Sequence, residues 1–237
     1  MKKSLKHIMK KNYIVGVLFA FFIALIPSQK YASFFAVDIG SPINTVEETK
    51  EVTLDVTSTG QTGQTVSSET KYKVSQESAS GFLFRVKVMG LIGFGLFSHQ
   101  SVLSLSDGGS VDPKLAIDTN MAELIGHVPI PLIPLTISGH VGFGTRAYKT
   151  DFLSSENSGS EVSAHVPVTK IGFEVGLEYS FIIAARIALG YNTLSGSETA
   201  IDTSDLYAGT PGISDIKSEM TVNPNATIFT LSVGIGF

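Results

Sequence analysis

Eight ionisable residues share one side of segments whose other side is apolar. Arg85, Lys87, Arg146, Lys170 and Arg186, together with Glu174 and Glu178, alternate with apolar residues at a period of two, and Glu123 joins them if its segment carries a bulge. The chemistry open to such a set is ion pairing in a confined interior, because each charge is costly if buried unpaired. The other reactive side chains form no comparable group. His99, His127, His140 and His165 are isolated, with no H-x-x-x-H or carboxylate at ligand spacing, so no metal is expected. Ser98, Ser101 and His165 could serve a lipid hydrolase or acyltransferase. With serine so abundant, coincidence explains them better, and no G-x-S-x-G or P-loop is present. The glycines of 90–95 read as strand, so neither a catalytic site nor a cofactor is expected.

Cysteine is absent from the 237 residues, which removes disulfides and thiolate metal sites together. Residues 1–33 hold six lysines (2, 3, 6, 10, 11 and 30), no acid, and a fifteen-residue apolar run at 13–27. A basic start and a run shorter than the roughly 20 residues of a membrane helix predict a signal peptide, cleaved near residue 33. Without those six lysines the 17 basic residues fall to 11 against 21 acidic ones, a net charge of −10. An acidic chain of this kind excludes nucleic acid as a partner, since phosphates need a basic footprint. The remaining 34–237, about 200 residues, fit one domain.

A meander of strands must position the charged residues. Segments 34–40, 51–58 and 70–76 alternate weakly, and two of the three are expected to form a hairpin. Residues 81–97 read as one strand, with Phe82, Phe84, Val86, Val88, Ile92, Phe94 and Leu96 opposed to Arg85, Lys87, Gly93 and Gly95. After a loop at 98–113, segment 114–128 alternates imperfectly, which predicts a bulge near Met121. Three prolines in 129–134 predict a tight turn. Strands follow at 135–149, 162–180 and 181–191, with loops at 150–161 and 195–225. Long and short connections therefore alternate, and the even count of eight returns both ends to one side.

The last strand, 226–237, places Phe229, Leu231, Val233, Ile235 and Phe237 on one face and Gly236, Gly234, Ser232 and Thr230 on the other. A flat apolar edge invites aggregation in water, yet is acceptable in a bilayer if it closes a barrel. This ending resembles the C-terminal signal of bacterial outer-membrane barrels, which the family's assembly machinery reads.

Over residues 81–237 the succession of strands, the Gly-x-Gly punctuation (LIGFGLF, HVGFGT, SVGIGF) and the terminal Phe resemble the small outer-membrane β-barrel family that includes the OmpA transmembrane domain and OmpX. The resemblance implies an all-β fold, a closed antiparallel up-and-down transmembrane barrel of eight strands in a Gram-negative outer membrane. It transfers no catalytic residue. One Arg or Lys facing lipid at mid-depth would cost about 2–4 kcal/mol, so the eight ionisable residues are expected to point into the lumen. A lumen of eight strands is only wide enough for side chains to fill, hence no channel is expected. Lipid and lipopolysaccharide are the expected surroundings. Loops 98–113, 150–161 and 195–225 are the candidate contacts for a host or surface ligand, as in an adhesin or surface antigen. The last of these is acidic, with Glu198, Asp202, Asp205, Asp215 and Glu219 against Lys217, and its bland reading is a solvated loop. Two alternatives stay open: a lipid-modifying barrel enzyme, and a soluble lipocalin-like binder with its apolar faces turned inward.

Overall fold

The computed structural model describes residues 34–108, 113–130, 133–150, 162–180, 183–207 and 213–237. The expected signal peptide, 1–33, lies outside the described residues, as does most of the expected loop 150–161. Eleven strands follow in order: β1 (Phe35–Glu47), β2 (Glu51–Gly60), β3 (Thr65–Val88), β4 (Ile92–Ser106), β5 (Lys114–Pro129), β6 (Leu135–Thr150), β7 (Val162–Ser180), β8 (Ala184–Ser195), β9 (Thr199–Asp202), β10 (Ile213–Val222) and β11 (Ala226–Gly236). A short 3-10 helix, Ser204–Tyr207, sits between β9 and β10.

Eight of the strands close a barrel. All pairings are antiparallel in the order β1-β11-β8-β7-β6-β5-β4-β3, and β3 returns to β1 from Phe35↔Val88 to Gly40↔Leu83. Chain neighbours are barrel neighbours throughout, which makes it an up-and-down barrel. At the turn end the first and last strands are tied together, since the Phe237 N–H donates to the Phe35 carbonyl at 2.7 Å and the Phe35 N–H to that of Phe237 at 3.2 Å. Above the waist β2 takes the place of β1 beside β3, while β10 pairs with β2 and β9 with β10. These three short strands prolong β1, β11 and β8 after breaks at 48–50, 223–225 and 196–198.

The eight strands are reached by a route different from the expected one. Residues 81–97 form two strands, not one, joined at a turn in which Met89 (φ 54°) and Gly90 (φ 61°) both take positive φ and the Leu91 N–H donates to the Val88 carbonyl at 3.3 Å. Two central residues of positive φ are the type I′ hairpin turn, whose twist matches the strands. Val88 and Ile92 are cross-strand partners and so share a face, which lets the apolar parity run unbroken through the turn and hides it. Of the three weak segments before residue 80, the first is barrel strand β1. The other two lie in the β2–β3 hairpin, paired from Glu51↔Lys73 to Thr59↔Thr65.

Two further expectations are corrected. No bulge interrupts β5, whose register with both neighbours is continuous and whose inward side runs Leu115, Ile117, Thr119, Met121, Glu123, Ile125, His127. The expected loops 98–113 and 195–225 contain strands: β4 continues to Ser106, and the latter segment holds β9, the 3-10 helix and β10, with 109–112 and 208–212 outside the described residues.

The reason for both errors is a reversal of burial along the strands. In the lower half the outward side is apolar: Phe84, Phe94, Phe143, Phe173, Val175, Ile187, Leu231 and Ile235 are all exposed, while the side chains between them are buried. On β7, β8 and β11 this band covers nine residues (171–179, 183–191, 229–237), a rise of about 23 Å at a tilt of about 40°. In the upper half the sides exchange character. Val52, Leu54, Leu103, Leu105, Leu115, Ile117, Tyr148, Val166, Ile201, Met220 and Val222 form an ordinary apolar core inside the wall. Burial there pushes the Tyr148 hydroxyl up to about 12, so it stays protonated.

Candidate functional site

The lumen of the lower half holds ionised side chains stacked in layers. Nearest the turn end, Asp38 on β1 binds both Arg186 Nη1 at 2.9 Å and Lys87 Nζ at 3.1 Å. His127 bonds Ser138 at 2.8 Å and faces Glu178 at 3.5 Å. Arg186 also donates to Glu174 (3.2 Å) and to the hydroxyls of Ser138 and Thr136. One layer up, Arg85 donates from Nε to Glu123 at 2.9 Å and from Nη1 to Glu174 at 2.6 Å, with His140 beside it. Lys170 completes that layer on the other Glu123 oxygen and lies 3.9 Å over the Phe97 ring.

An apolar layer of Leu83, Phe97, Met121, Val168, Leu194, Ala226 and Ile228 then crosses the lumen. Above it Arg146 grips both oxygens of Glu47 through Nη2, at 2.7 and 2.9 Å, and donates to the Pro224 carbonyl at 2.8 Å. Arg146 therefore sits at the waist and ties β1 to the break before β11. Breaking such buried pairs is strongly destabilising, since it leaves a charge without a partner.

Arg85, Lys87, Glu123, Arg146, Lys170, Glu174 and Arg186 are thus all buried and ion-paired, with Glu178 at the half-open lower mouth. The sequence reading missed Asp38 and Glu47. With them, five cations face five carboxylates among the described residues. The signal that hid them is a bulge: β1 pairs Pro42 with Thr230 but Asn44 with Phe229, so Ile43 is an extra residue and the inward parity switches there.

Glycines opposite the charges give them room. A Cβ on Gly95 would stand 2.7 Å from Arg85 Cγ, and one on Gly234 would overlap the Asp38 carboxylate. The serine and histidine candidates are not brought together. Ser101 lies inside and donates to Glu47 at 2.8 Å, whereas His165 is exposed on the outer wall and Ser98 shares that outward side. Among the described residues no group of three or more His, Asp or Glu could hold a metal ion. On β11, Phe229, Leu231, Val233, Ile235 and Phe237 all face outward in the apolar band.

The fold and its interior define a small closed eight-stranded up-and-down β-barrel, apolar outside and ionised within over its lower half. No protein-family model matches the chain, and no curated protein matches it. Solved structures of similar fold include Neisserial surface protein A (10% identity, covering 86% of this chain and 98% of that one, TM-score 0.41). The outer membrane protein OprG from Pseudomonas aeruginosa is another (13%, 87% and 98%, TM-score 0.42). A third is Ail, the attachment invasion locus protein of Yersinia pestis, solved with the heparin analogue sucrose octasulfate (11%, 82% and 97%, TM-score 0.32). Likeness at this level assigns no function.

Proposed function

We propose that this protein is an outer-membrane β-barrel of the OmpA and OmpX kind, exported by a signal peptide in residues 1–33, with a sealed lumen and a structural or surface-exposed role. The observation that carries this reading is the reversal of burial along single strands. On β4, Phe94 is exposed and Gly95 faces Arg85 inside, while ten residues further on Ser104 and Ser106 flank the buried Leu105. One solvent does not explain both halves. Hydrocarbon around the lower half and water around the upper half do, because apolar groups prefer either lipid or a protein core to water, and charges avoid lipid. A soluble lipocalin-like barrel would hold apolar side chains inward along its whole height.

The upper half then stands outside the cell, and the candidate surfaces for a host or surface ligand move from loops to the walls of β2, β3, β9 and β10. The ion-paired layers and the apolar layer above them support a closed lumen, so no conductance is expected. The test is fractionation of expressing cells with protease shaving. Detergent-only extraction, heat-modifiable gel mobility and cleavage confined to the upper half are expected, together with silence in planar bilayers. Release by osmotic shock would overturn the reading.

A further inference from the structure

The ladder between β1 and β3 is incomplete. It runs from Phe35↔Val88 to Gly40↔Leu83 and resumes only as β2–β3 at Glu51↔Lys73, where the Val74 N–H donates to the Lys50 carbonyl at 3.0 Å. Between them, residues 41–49 face residues 75–82 with no backbone ladder, over the upper rim of the apolar band. The Ser41 hydroxyl donates to the Gly81 carbonyl at 3.0 Å at the lower end of this stretch. Each margin carries a bulge, one at Ile43 and one between Gln76 and Ser78. Residues 75–80 are exposed whichever way they point, including Gln76 and Ala79, whose cross-strand partners Leu103 and Ser101 are buried in the lumen. The inner side of the wall is therefore accessible at this place.

Two side chains of β4 cross β3 on the lumen side and lace the stretch shut. His99 passes Gly81, its cross-strand partner, to bond the Thr45 hydroxyl through Nε2 at 2.9 Å. Ser101 passes Ala79 to donate to Glu47 at 2.8 Å. Side chains of these lengths span two ordinary strand spacings of about 4.8 Å, so β1 and β3 stay adjacent and no further strand fits between them. Between the other neighbouring strands among the described residues, opening means breaking a run of backbone bonds; here it means breaking three side-chain bonds, Ser41 to Gly81 at the lower end and the two from His99 and Ser101 above it.

We infer that the seam between β1 and β3 is a lateral gate in the barrel wall, latched from within by His99 and Ser101, and that its opening admits water to the buried Glu47–Arg146 pair. Hydrogen exchange on the full chain in detergent micelles tests it. The seam-facing amides of 41–49 and 75–82, those not turned toward β11 or β4, are expected to exchange far faster than the amides of β6 and β7 at the same height. Ser101→Ala and His99→Phe should each speed exchange at the seam by about fivefold, the worth of one hydrogen bond. Thr45→Val should match His99→Phe, and the two together should add nothing. Slow exchange at the seam in the unaltered protein would overturn the gate whether or not any variant folds. Acceleration spread evenly round the barrel, or additive effects of Thr45→Val and His99→Phe, would overturn the latch.

Discussion

Asp38 and Glu47 lie on one strand at an odd spacing and yet point to the same side, Asp38 to Arg186 and Lys87, Glu47 to Arg146. Strict alternation would put one of them outside. The bulge at Ile43 reconciles them, and it does so at the level where the wall passes from its ion-paired interior to the waist.

Deleting Ile43 should therefore turn Glu47 outward and strand Arg146 in the lumen. Loss of one partner of a buried pair costs about 3–5 kcal/mol, a large share of the stability of an ordinary domain. The expected result is loss of the fast-migrating folded band in unheated gels, with Ile43→Val keeping it.

Lys170 offers a cleaner measure of the lumen, being wedged between Glu123 and the Phe97 ring. Glu123→Met alone should destabilise by about 3–5 kcal/mol, because Lys170 and Arg85 lose their shared carboxylate. Glu123→Met with Lys170→Met should recover much of that loss, since two apolar side chains replace a desolvated pair. Urea titration in lipid vesicles reads both, and a double variant no better than the single would contradict the pairing.

The reversal of burial predicts opposite tolerance on one face of one strand. Phe94 and Gln100 both point outward from β4 and are both exposed. Phe94→Arg, in the apolar band, should cost about 2–4 kcal/mol, whereas Gln100→Arg should stay within about 0.5 kcal/mol. Equal costs would mean that one solvent surrounds both positions.

Gly95→Val should be poorly tolerated, since the Arg85 stem occupies the space a side chain would need. Overpacking of this kind costs about 1–3 kcal/mol. The same unfolding assay checks it, with Gly126→Val as the contrast, because a Cβ at Gly126 meets nothing within 4 Å.

Removing Phe237 tests the reading of the last strand. Phe237 exchanges backbone hydrogen bonds with Phe35 and ends the apolar row of β11. The truncated chain is expected to be degraded before insertion, seen as loss of full-length protein in pulse-chase labelling. Normal insertion would remove the proposed assembly signal.

Most of the barrel was legible because its strands alternate strictly where the outward side is apolar and the inward side is polar; 135–149 and 162–180 are such cases. What failed had physical reasons. The Met89–Gly90 turn was invisible because its flanking residues are partners on one face. Leu115 and Ile117 share the inward side of β5 with Glu123, so a switch from apolar to charged interior imitated a bulge. The true bulge, at Ile43, fell in a segment too weakly patterned to show it. His99 and Ser101 looked like loop residues because serine and histidine line the inside of β4 just above the apolar band.

Equal numbers of positive and negative groups inside the lower half have an electrical consequence. The buried region as a whole is neutral, so a voltage across a surrounding bilayer exerts no net force on it. Among the described residues outside the lumen twelve acidic side chains stand against six basic ones, so in the proposed membrane setting an uncharged anchor lies beneath an acidic crown. Attraction of that crown to cations should fade as ionic strength rises, and the anchor should ignore the change.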